Sequence, residues 1–599
     1  MVSAFDGYAL YAVSLVAVVA LGALVVARTA MRRVEAPASD SPAATSHNVA
    51  LTTVLAVALT TAVVLTYVEV LIFQDYGVHL YEFDVLGILT TAALRRDLGI
   101  QPTEVARVVT AALALFGAEL LLFAVAHRLA RWRGGTLARA CAASLVIAVP
   151  GGFLLFRTGE AAIITERAEF AGALPLGASL LWRSTTRPHI AVEPRLGPAG
   201  YPMLAAGGAA PRLARKRNIV FFVADGLRGD MIRPALTPNL LDFAARADVI
   251  RSAQHFSTGH VSESGVFGLL YGVDGQAFHS FLQARVAAYP LEVLKRNGYH
   301  TLLLASSRLN PYPSDQLISV FDEVAYPATD DEAVSALARY VTARRADGKP
   351  YFVFVFFYTP HYPFTSAKAA FRRLPPRGAA TKSNYMNDVL QADDYFRQAF
   401  EVVRGDYDAA RTVVLATSDH GEEIRDHGTF GHASATFWNE KIEVPFLLGL
   451  PGVKLAPLVR TPALTSHVDL WPTLFDYLGA EPRVDPHRYS DGRSLLAAPT
   501  GAPRALVTGR FFPYADRPSV LVDGSRKYWF RVSGIGPGDR LCAEISRVTD
   551  LDDRPVAVDL STISLAAIPA FDSLQATFWR FIQPVVARTP RSIRAGCRS

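Results

Sequence analysis

Three apolar runs in this 599-residue sequence each end on residues that bind cations or move protons. NIVFFVA stops at Asp225, YFVFVFF leads through Tyr-Thr-Pro into His361, and TVVLATS is followed by Asp419 and His420. Two carboxylates and one imidazole suit a divalent cation of the manganese or zinc kind, with magnesium also accommodated. Ser262 opens a further apolar segment, SESGVFGLLYG, where the backbone N–H groups of a helix N-terminus would face an anion. A cation that lowers its hydroxyl pKa would make this serine a nucleophile toward a phosphate or sulfate ester. Ser262 could equally be a plain helix cap, and Thr258 and Ser264 are neighbouring hydroxyls that could take its place. His361 in TPHYPF and His432 in FGHAS could stabilise charge on the transferred group or protonate the leaving oxygen. His260 and His427 rank below them.

These residues need a scaffold that gathers strand ends. Continuous apolar runs read as buried strands of a parallel sheet, and in open α/β sheets chemistry collects at the carboxyl ends of such strands. From Asn218 onward strands alternate with helical stretches: TPNLLDFAARA, LEVLKRNG, DDEAVSALARYVTARR and NYMNDVLQADDYFRQAFEVV. The pattern predicts a mostly parallel sheet covered on both faces. Beyond residue 500, RALVTGR, SVLVDG and KYWFRVS read as short strands of a small antiparallel lobe. FDSLQATFWRFI reads as an amphipathic helix packed on that lobe.

The front of the chain differs in kind. Hydrophobic residues make up 51% of the sequence, with a mean hydropathy of +0.21, and the excess sits in four segments near 7–27, 49–73, 108–126 and 140–156. Each approaches the length that crosses a hydrocarbon core. No basic region precedes the first, where Asp6 stands instead, so it reads as a retained span and not a signal peptide. The loop after the first span carries Arg28, Arg32 and Arg33, and the loop after the third carries Arg128, Arg131, Arg133 and Arg139. Both are expected on the cytoplasmic side, which places everything after about residue 160 outside the cytoplasm. Residues 77–94 read as an interfacial helix, and Glu69 and Glu119 fall at or near membrane depth. The expected division is a transmembrane domain at 1–160, a connector at 161–215, a catalytic α/β domain at 216–500 and an α+β subdomain at 501–599. The net charge of +6 points, in that compartment, to anionic lipid and not nucleic acid. Arg212, Arg215, Lys216 and Arg217 are the cations expected to hold lipid headgroups.

Taken together, VADGLR at Asp225, Ser262, PHYP at His361, SDHGEE at Asp419 and His420, GH at His432 and SHVDLWPTLFDYLG at Asp469 resemble the alkaline phosphatase and sulfatase superfamily, in its membrane-anchored branch. HFSTGHVSESGVFGLLYG, FQDYGVHLYEFDVLGIL and ALPLGASLLWR look most like the YejM/PbgA-like envelope proteins, with lipoteichoic acid synthases more distant. The resemblance implies an α/β/α sandwich of the sulfatase type, and one metal ion (Mn, Mg or Zn) held by Asp225, Ser262, Asp419 and His420. It implies Ser262, His361 and His432 as catalytic residues, and Arg228, His260, His361 and His432 as contacts to the substrate. It further implies an inner-membrane protein whose periplasmic domain hydrolyses or transfers phosphoesters of envelope lipids or glycans, with phospholipid or lipopolysaccharide as partner. A lipid-sensing regulator with weak or no catalysis is the alternative. A sulfuric ester hydrolase is a second one, but Ser262 is followed by ESGV, without the proline and arginine that aldehyde-forming sulfatases carry.

Of the three cysteines, Cys141 falls in a span, while Cys542 and Cys597 would meet an oxidising compartment in which they are expected to pair. The arginine asymmetry also has a direct test. A phosphatase reporter fused after Ser599 is expected to be active, and activity only from a cytoplasmic reporter would reverse the assigned compartment.

Overall fold

The computed structural model describes residues 210–560 apart from short stretches at 279–280, 282–284, 307–314, 376–381, 428–429, 433–435, 498–503, 510–517 and 536–540. It also describes Val192–Arg195, Tyr201, Gln583–Val586 and the isolated positions Thr110, Leu113, Gly117 and Ile563. The four expected spans apart from Thr110, Leu113 and Gly117, the interfacial helix, Glu69, Glu119, the closing helix at 571–582, Cys141 and Cys597 lie outside the described residues. Among the described residues no helix is long and apolar enough to cross a membrane. The chain divides into two compact units, Met1–Pro188 and His189–Ser599, and the second carries the residues of interest.

Its centre is a seven-stranded sheet of β1 (Asn218–Ala224), β2 (Val249–Arg251), β3 (His300–Ala305), β4 (Glu323–Ala325), β5 (Tyr351–Phe357), β6 (Thr412–Ser418) and β7 (Phe446–Gly449), in the order β2-β7-β6-β1-β5-β3-β4. β1 pairs in parallel with β5 and β6, in the register Ala224 opposite Phe357 and Ser418. The three apolar runs therefore end level with one another, and Asp225, the His361 loop and Asp419 leave the sheet at one edge. The sheet is mixed and not simply parallel, because β7 runs antiparallel to β6 and to β2. The reason is the connection: residues 419–445 return to the sheet at the edge where β6 ended, without a crossover helix, so the next strand must run back down.

Alternate side chains of β1 feed two cores. Ile219, Phe221 and Val223 pack with α2 (Ser262–Tyr271), α3 (Tyr289–Arg296) and α6 (Leu470–Leu478), and Val220, Phe222 and Ala224 pack with α1 (Pro238–Ala244), α4 (Asp330–Asp347) and α5 (Lys382–Asp408). Burial on both faces explains why these strands carry no polar alternation. Trp471 of α6 fills the first core, its ring 5.8 Å from Phe221 and its indole N–H donating to the Leu269 carbonyl at 2.7 Å.

Four antiparallel strands follow, β8 (Ala505–Thr508), β9 (Pro518–Val522), β10 (Arg526–Ile535) and β11 (Leu541–Asp550). The first three overlap the segments expected to be strands, and β11 was not anticipated. Cys542 lies on β11 opposite Gly534. Contacts that join this lobe to the main domain include the Thr508 N–H, which donates to the Thr258 carbonyl at 3.1 Å, and the buried Lys527, which bridges Asp553 and the Asn439 side chain.

Helix α2 must approach the end of β6 closely. A β-carbon built on Gly265 would stand 2.1 Å from the Asp419 carbonyl oxygen. Backbone on both sides leaves no flexible side chain to give way, so Gly265→Val is expected to lower stability by about 1–3 kcal/mol or more. Chemical denaturation, read as a fall in midpoint, checks it.

Candidate active site

Asp225 follows β1 directly, and its N–H is held by the Phe357 carbonyl of β5 at 2.9 Å. Asp419 and His420 follow β6 in the same way, and all three residues are buried. One ligand atom from each of Asp225, Asp419 and His420 lies within 4.8 Å of the others. The His420 ring is oriented by its Nδ1–H, which donates to the Gly421 carbonyl at 2.8 Å, so in the neutral imidazole the lone pair sits on Nε2. That Nε2 faces Asp225 Oδ1 at 3.6 Å, Asp419 Oδ2 at 3.5 Å and Ser262 Oγ at 3.2 Å. Asp419 Oδ1 accepts from the N–H groups of Gly226 and His420 at 3.2 and 2.9 Å, whereas its Oδ2 takes no hydrogen bond among the described residues. Burial would push His420 toward its neutral form, yet the Asp419, Asp225 and Glu422 carboxylates hold its pKa above the ordinary value. This pocket favours positive charge at the point where two carboxylate oxygens, one imidazole nitrogen and one hydroxyl meet. That donor set fits a hard or borderline divalent cation.

Ser262 is the first residue of α2, but the cap position belongs to Val261, which has an extended backbone. The Ser262 hydroxyl meets His420 Nε2, and no side-chain cap hydrogen bond is made at this terminus. The neighbouring hydroxyls are committed elsewhere: Thr258 Oγ1 donates to the Ser264 carbonyl at 2.7 Å, and Ser264 Oγ to the Val261 carbonyl at 3.1 Å. Both are buried, which leaves Ser262 as the hydroxyl of this segment that reaches the cluster.

His361 and His432 join it from two loops. Their ring centroids are 5.6 Å apart, and His432 lies 4.2 Å from the His420 ring. The Nδ1–H of His361 donates to the Tyr362 carbonyl at 2.6 Å, and that of His432 to the Glu422 carboxylate, 3.0 Å from Oε2. All three imidazoles are thus held through Nδ1.

Two residues expected to touch substrate are buried in the walls. Arg228 is 1% exposed, with Nε and Nη2 on the Asp230 carboxylate at 2.8 Å and Nη1 on Asp426 at 2.9 Å. A guanidinium held by two carboxylates frames the site and does not line its surface. His260 is fully buried with its ring 5.4 Å from Phe437, and burial, with Lys441 and His432 adding to it, holds its pKa well below the usual value. His427 stacks on Trp438 at 4.1 Å and contacts Glu440, outside the cluster. Arg212, Arg215, Lys216 and Arg217 precede β1, so they occupy the opposite edge of the sheet. Arg215 donates through Nε to the Tyr477 carbonyl at 2.6 Å.

The sequence reading missed Glu422, Glu423 and Lys441, all without exposed surface. Lys441 Nζ lies 3.5 Å from Glu423 Oε2 and donates to Thr436 Oγ1 at 2.5 Å. Burial pushes Glu422 up to about 7, against the pull of His361, His420 and Lys441. Burial also lowers Lys441 to about 8, against Glu423 and Glu422. The paired acids of SDHGEE were a visible signal, but their partner Lys441 is brought to them only by the returning loop.

Asp419→Ala removes the carboxylate that has one free oxygen in this pocket. It is expected to abolish stoichiometric bound metal in elemental analysis while leaving the circular dichroism spectrum unchanged; equal metal in variant and parent would exclude the cluster as a metal centre.

Residues 217–480 match the sulfatase family model. The inner membrane protein YejM of Salmonella typhimurium is 25% identical over 290 residues, which are 47% of this chain and 45% of that protein. The chain thus matches just under half the length of this curated relative. Among solved structures, the phosphonate monoester hydrolase of Agrobacterium radiobacter superposes with a TM-score of 0.44 at 18% identity, covering 61% of this chain and 94% of that one. The lipoteichoic acid synthase LtaP from Listeria monocytogenes superposes with a TM-score of 0.44 at 14% identity, covering 64% and 95%. The strand-end cluster lies inside the region, residues 217–480, that matches the sulfatase family model.

Proposed function

We propose that this chain is a membrane-anchored, metal-dependent phosphoester hydrolase or transferase that acts outside the cytoplasm on envelope lipids or glycans, with Ser262 as nucleophile. The observation that carries the reading is the meeting of Ser262 Oγ with His420 Nε2 at 3.2 Å, beside two buried carboxylates. Asp225, Asp419, His420 and Ser262 would hold the cation, which when bound lowers the serine pKa and neutralises oxygens of the transferred group. Manganese, magnesium and zinc all suit these donors. Ser262 Oγ forms a bond to phosphorus as the bond to the leaving oxygen breaks, and water or an acceptor hydroxyl then displaces the serine. His361 and His432, beside the His420 ring, would hold or pass the proton of the leaving or entering oxygen. Glu422 fixes His432 from behind, and Arg228 holds the walls. A phosphoester is favoured over a sulfate ester because Ser262-Glu-Ser-Gly-Val lacks the residues from which an aldehyde nucleophile is made. The inner-membrane setting rests on the apolar N-terminal segments and on the similarity to YejM.

The test is intact-mass analysis of the purified chain incubated with envelope phospholipids and each metal. A phosphate-sized or phosphoglycerol-sized adduct that disappears in Ser262→Ala is expected. No adduct and no turnover with any metal would replace the enzyme reading with a lipid-binding regulator. His432→Ala is expected to lower turnover about 10²–10⁴-fold with the bound metal retained.

A further inference from the structure

The Ser-His-Val-Asp segment at 466–469 has no part in the chemistry above, yet it sets a buried imidazole, His467, beside the backbone of Asp419. Residues Leu464–Ser466 form a short strand parallel to Gln254–Phe256, with Thr465 opposite His255. The 3-10 turn His467–Asp469 follows, and the Asp469 carboxylate accepts from the Ser466 and Arg493 N–H groups, both at 2.9 Å. His467 Nδ1 lies 2.8 Å from His255 Nε2, and His255 Nδ1 lies 2.7 Å from Thr465 Oγ1. The His255 ring, also buried, stacks on Phe446 of β7 at 4.3 Å. Burial pushes His467 down to about 3 and holds His255 well below the usual value, so both rings are neutral and each carries one N–H. The Asp419 and Ser418 carbonyls pull on the His467 proton against burial, and Nε2 makes no hydrogen bond among the described residues. With the proton on Nε2, His467 Nδ1 accepts from His255 Nε2–H, and His255 Nδ1 accepts from the Thr465 hydroxyl. The Thr465 and Ser252 hydroxyls, 2.7 Å apart, turn to suit.

We infer that His467, held by His255 and Thr465, is a positioning residue for Asp419, and that this imidazole pair tunes the cation affinity of the cluster without touching the cation. The inference rests on the metal-centre reading given above. Asp419 Oδ1 is tied to the Gly226 and His420 N–H groups, and Oδ2 takes no hydrogen bond. Where Oδ2 stands is therefore set by the main chain that carries it. That main chain is already gripped: the Asp419 carbonyl accepts from Ser257 Oγ, and Gly265 of α2 lies against it. His467 adds a contact from an element outside the central sheet. Two phenylalanines would fill the same space without the cost of burying four ring nitrogens. What the imidazoles add is direction, because an N–H has a preferred line of approach to a carbonyl and a phenyl edge has none. Groups that orient a metal ligand in this way govern affinity from one layer out.

The experiment uses the full chain purified in detergent, with cobalt(II) as the probe. Its affinity is read by calorimetry, and its visible absorption bands report the ligand geometry. Combining His255→Phe with His467→Phe removes both members of the pair, so neither is left buried without its partner and the denaturation midpoint is expected to stay near the parent's. Thr465→Val and Thr465→Ser, which remove and keep the hydroxyl, decide the matter if the double variant does not fold. The double variant is expected to bind cobalt(II) about 10–100-fold more weakly, with altered bands. Thr465→Val is expected to change in the same direction, and Thr465→Ser to match the parent. In chelator-treated chain, hydrogen exchange of the Asp419 and His420 amides is expected to be faster in the double variant and in Thr465→Val only. Parent-like affinity and bands in the double variant would overturn the inference. So would an affinity that falls only in step with the midpoint and that serine at 465 does not restore. A parent that takes up no cobalt(II) would sink the metal reading, and exchange would then decide this one: unchanged rates overturn it, and faster rates leave His467 in place as the group that fixes Asp419.

Discussion

Two carboxylates buried within a few ångströms of each other set the terms for the rest of this domain. Asp225 and Asp419 are almost fully removed from water, and their facing oxygens belong to one cluster 4.8 Å across. Two like charges at such a distance repel by on the order of 3–4 kcal/mol at an effective dielectric near 20, before any cost of desolvation. A fold keeps such a pair only if it also brings positive charge or donors to them. This one brings the N–H groups of Gly226 and His420 to one oxygen of Asp419, and the His420 ring to both residues. The Asp419 oxygen left without a hydrogen bond marks where the remaining compensation belongs, which is why the cluster reads as a cation pocket and not as a buried ion pair.

The surrounding structure can be understood as what holds those two groups still. Parallel registration of β1, β5 and β6 brings their ends level, so each residue is placed by a rigid strand. The loop from 419 to 445 stays at that edge, which forces β7 antiparallel and carries Lys441 to Glu423. Behind the cluster, Arg228 is saturated by Asp230 and Asp426. A buried charge of each sign is thus met by a partner, as burial requires. From the other side the C-terminal lobe reaches the nucleophile segment through Thr508 and the returning loop through Lys527. Removing that lobe would leave Lys527's partners unpaired and would loosen both loops at once.

Much of this was legible in the residues. Apolar runs ending on Asp225 and Asp419, and one leading into His361, announced strands with chemistry at their ends, and both faces of the sheet are indeed covered. Ser262 was legible as a hydroxyl at a helix start, although not as distinct from a cap. What separates the two is whether Oγ turns toward the helix N–H groups or toward His420, and that depends on Gly265 letting α2 come against the Asp419 backbone. Residue type suggested contacts of Arg228 and His260 to an anion; the structure buries both side chains in the walls and sets Arg228 on Asp230 and Asp426.

By itself the sequence determined which residues would stand at strand ends, because side-chain alternation and run length are local properties of the chain. It also determined the arginine asymmetry. Only the tertiary structure decided which of these groups meet. Glu422 behind His432 and Lys441 against Glu423 depend on how the loop from 419 to 445 folds back on itself. No local pattern encodes a distance across such separations. The same reason explains why Arg212–Arg217 could be read as a basic patch but not assigned to an edge: strand direction and register, fixed by pairing with β5 and β6, set them opposite the cluster.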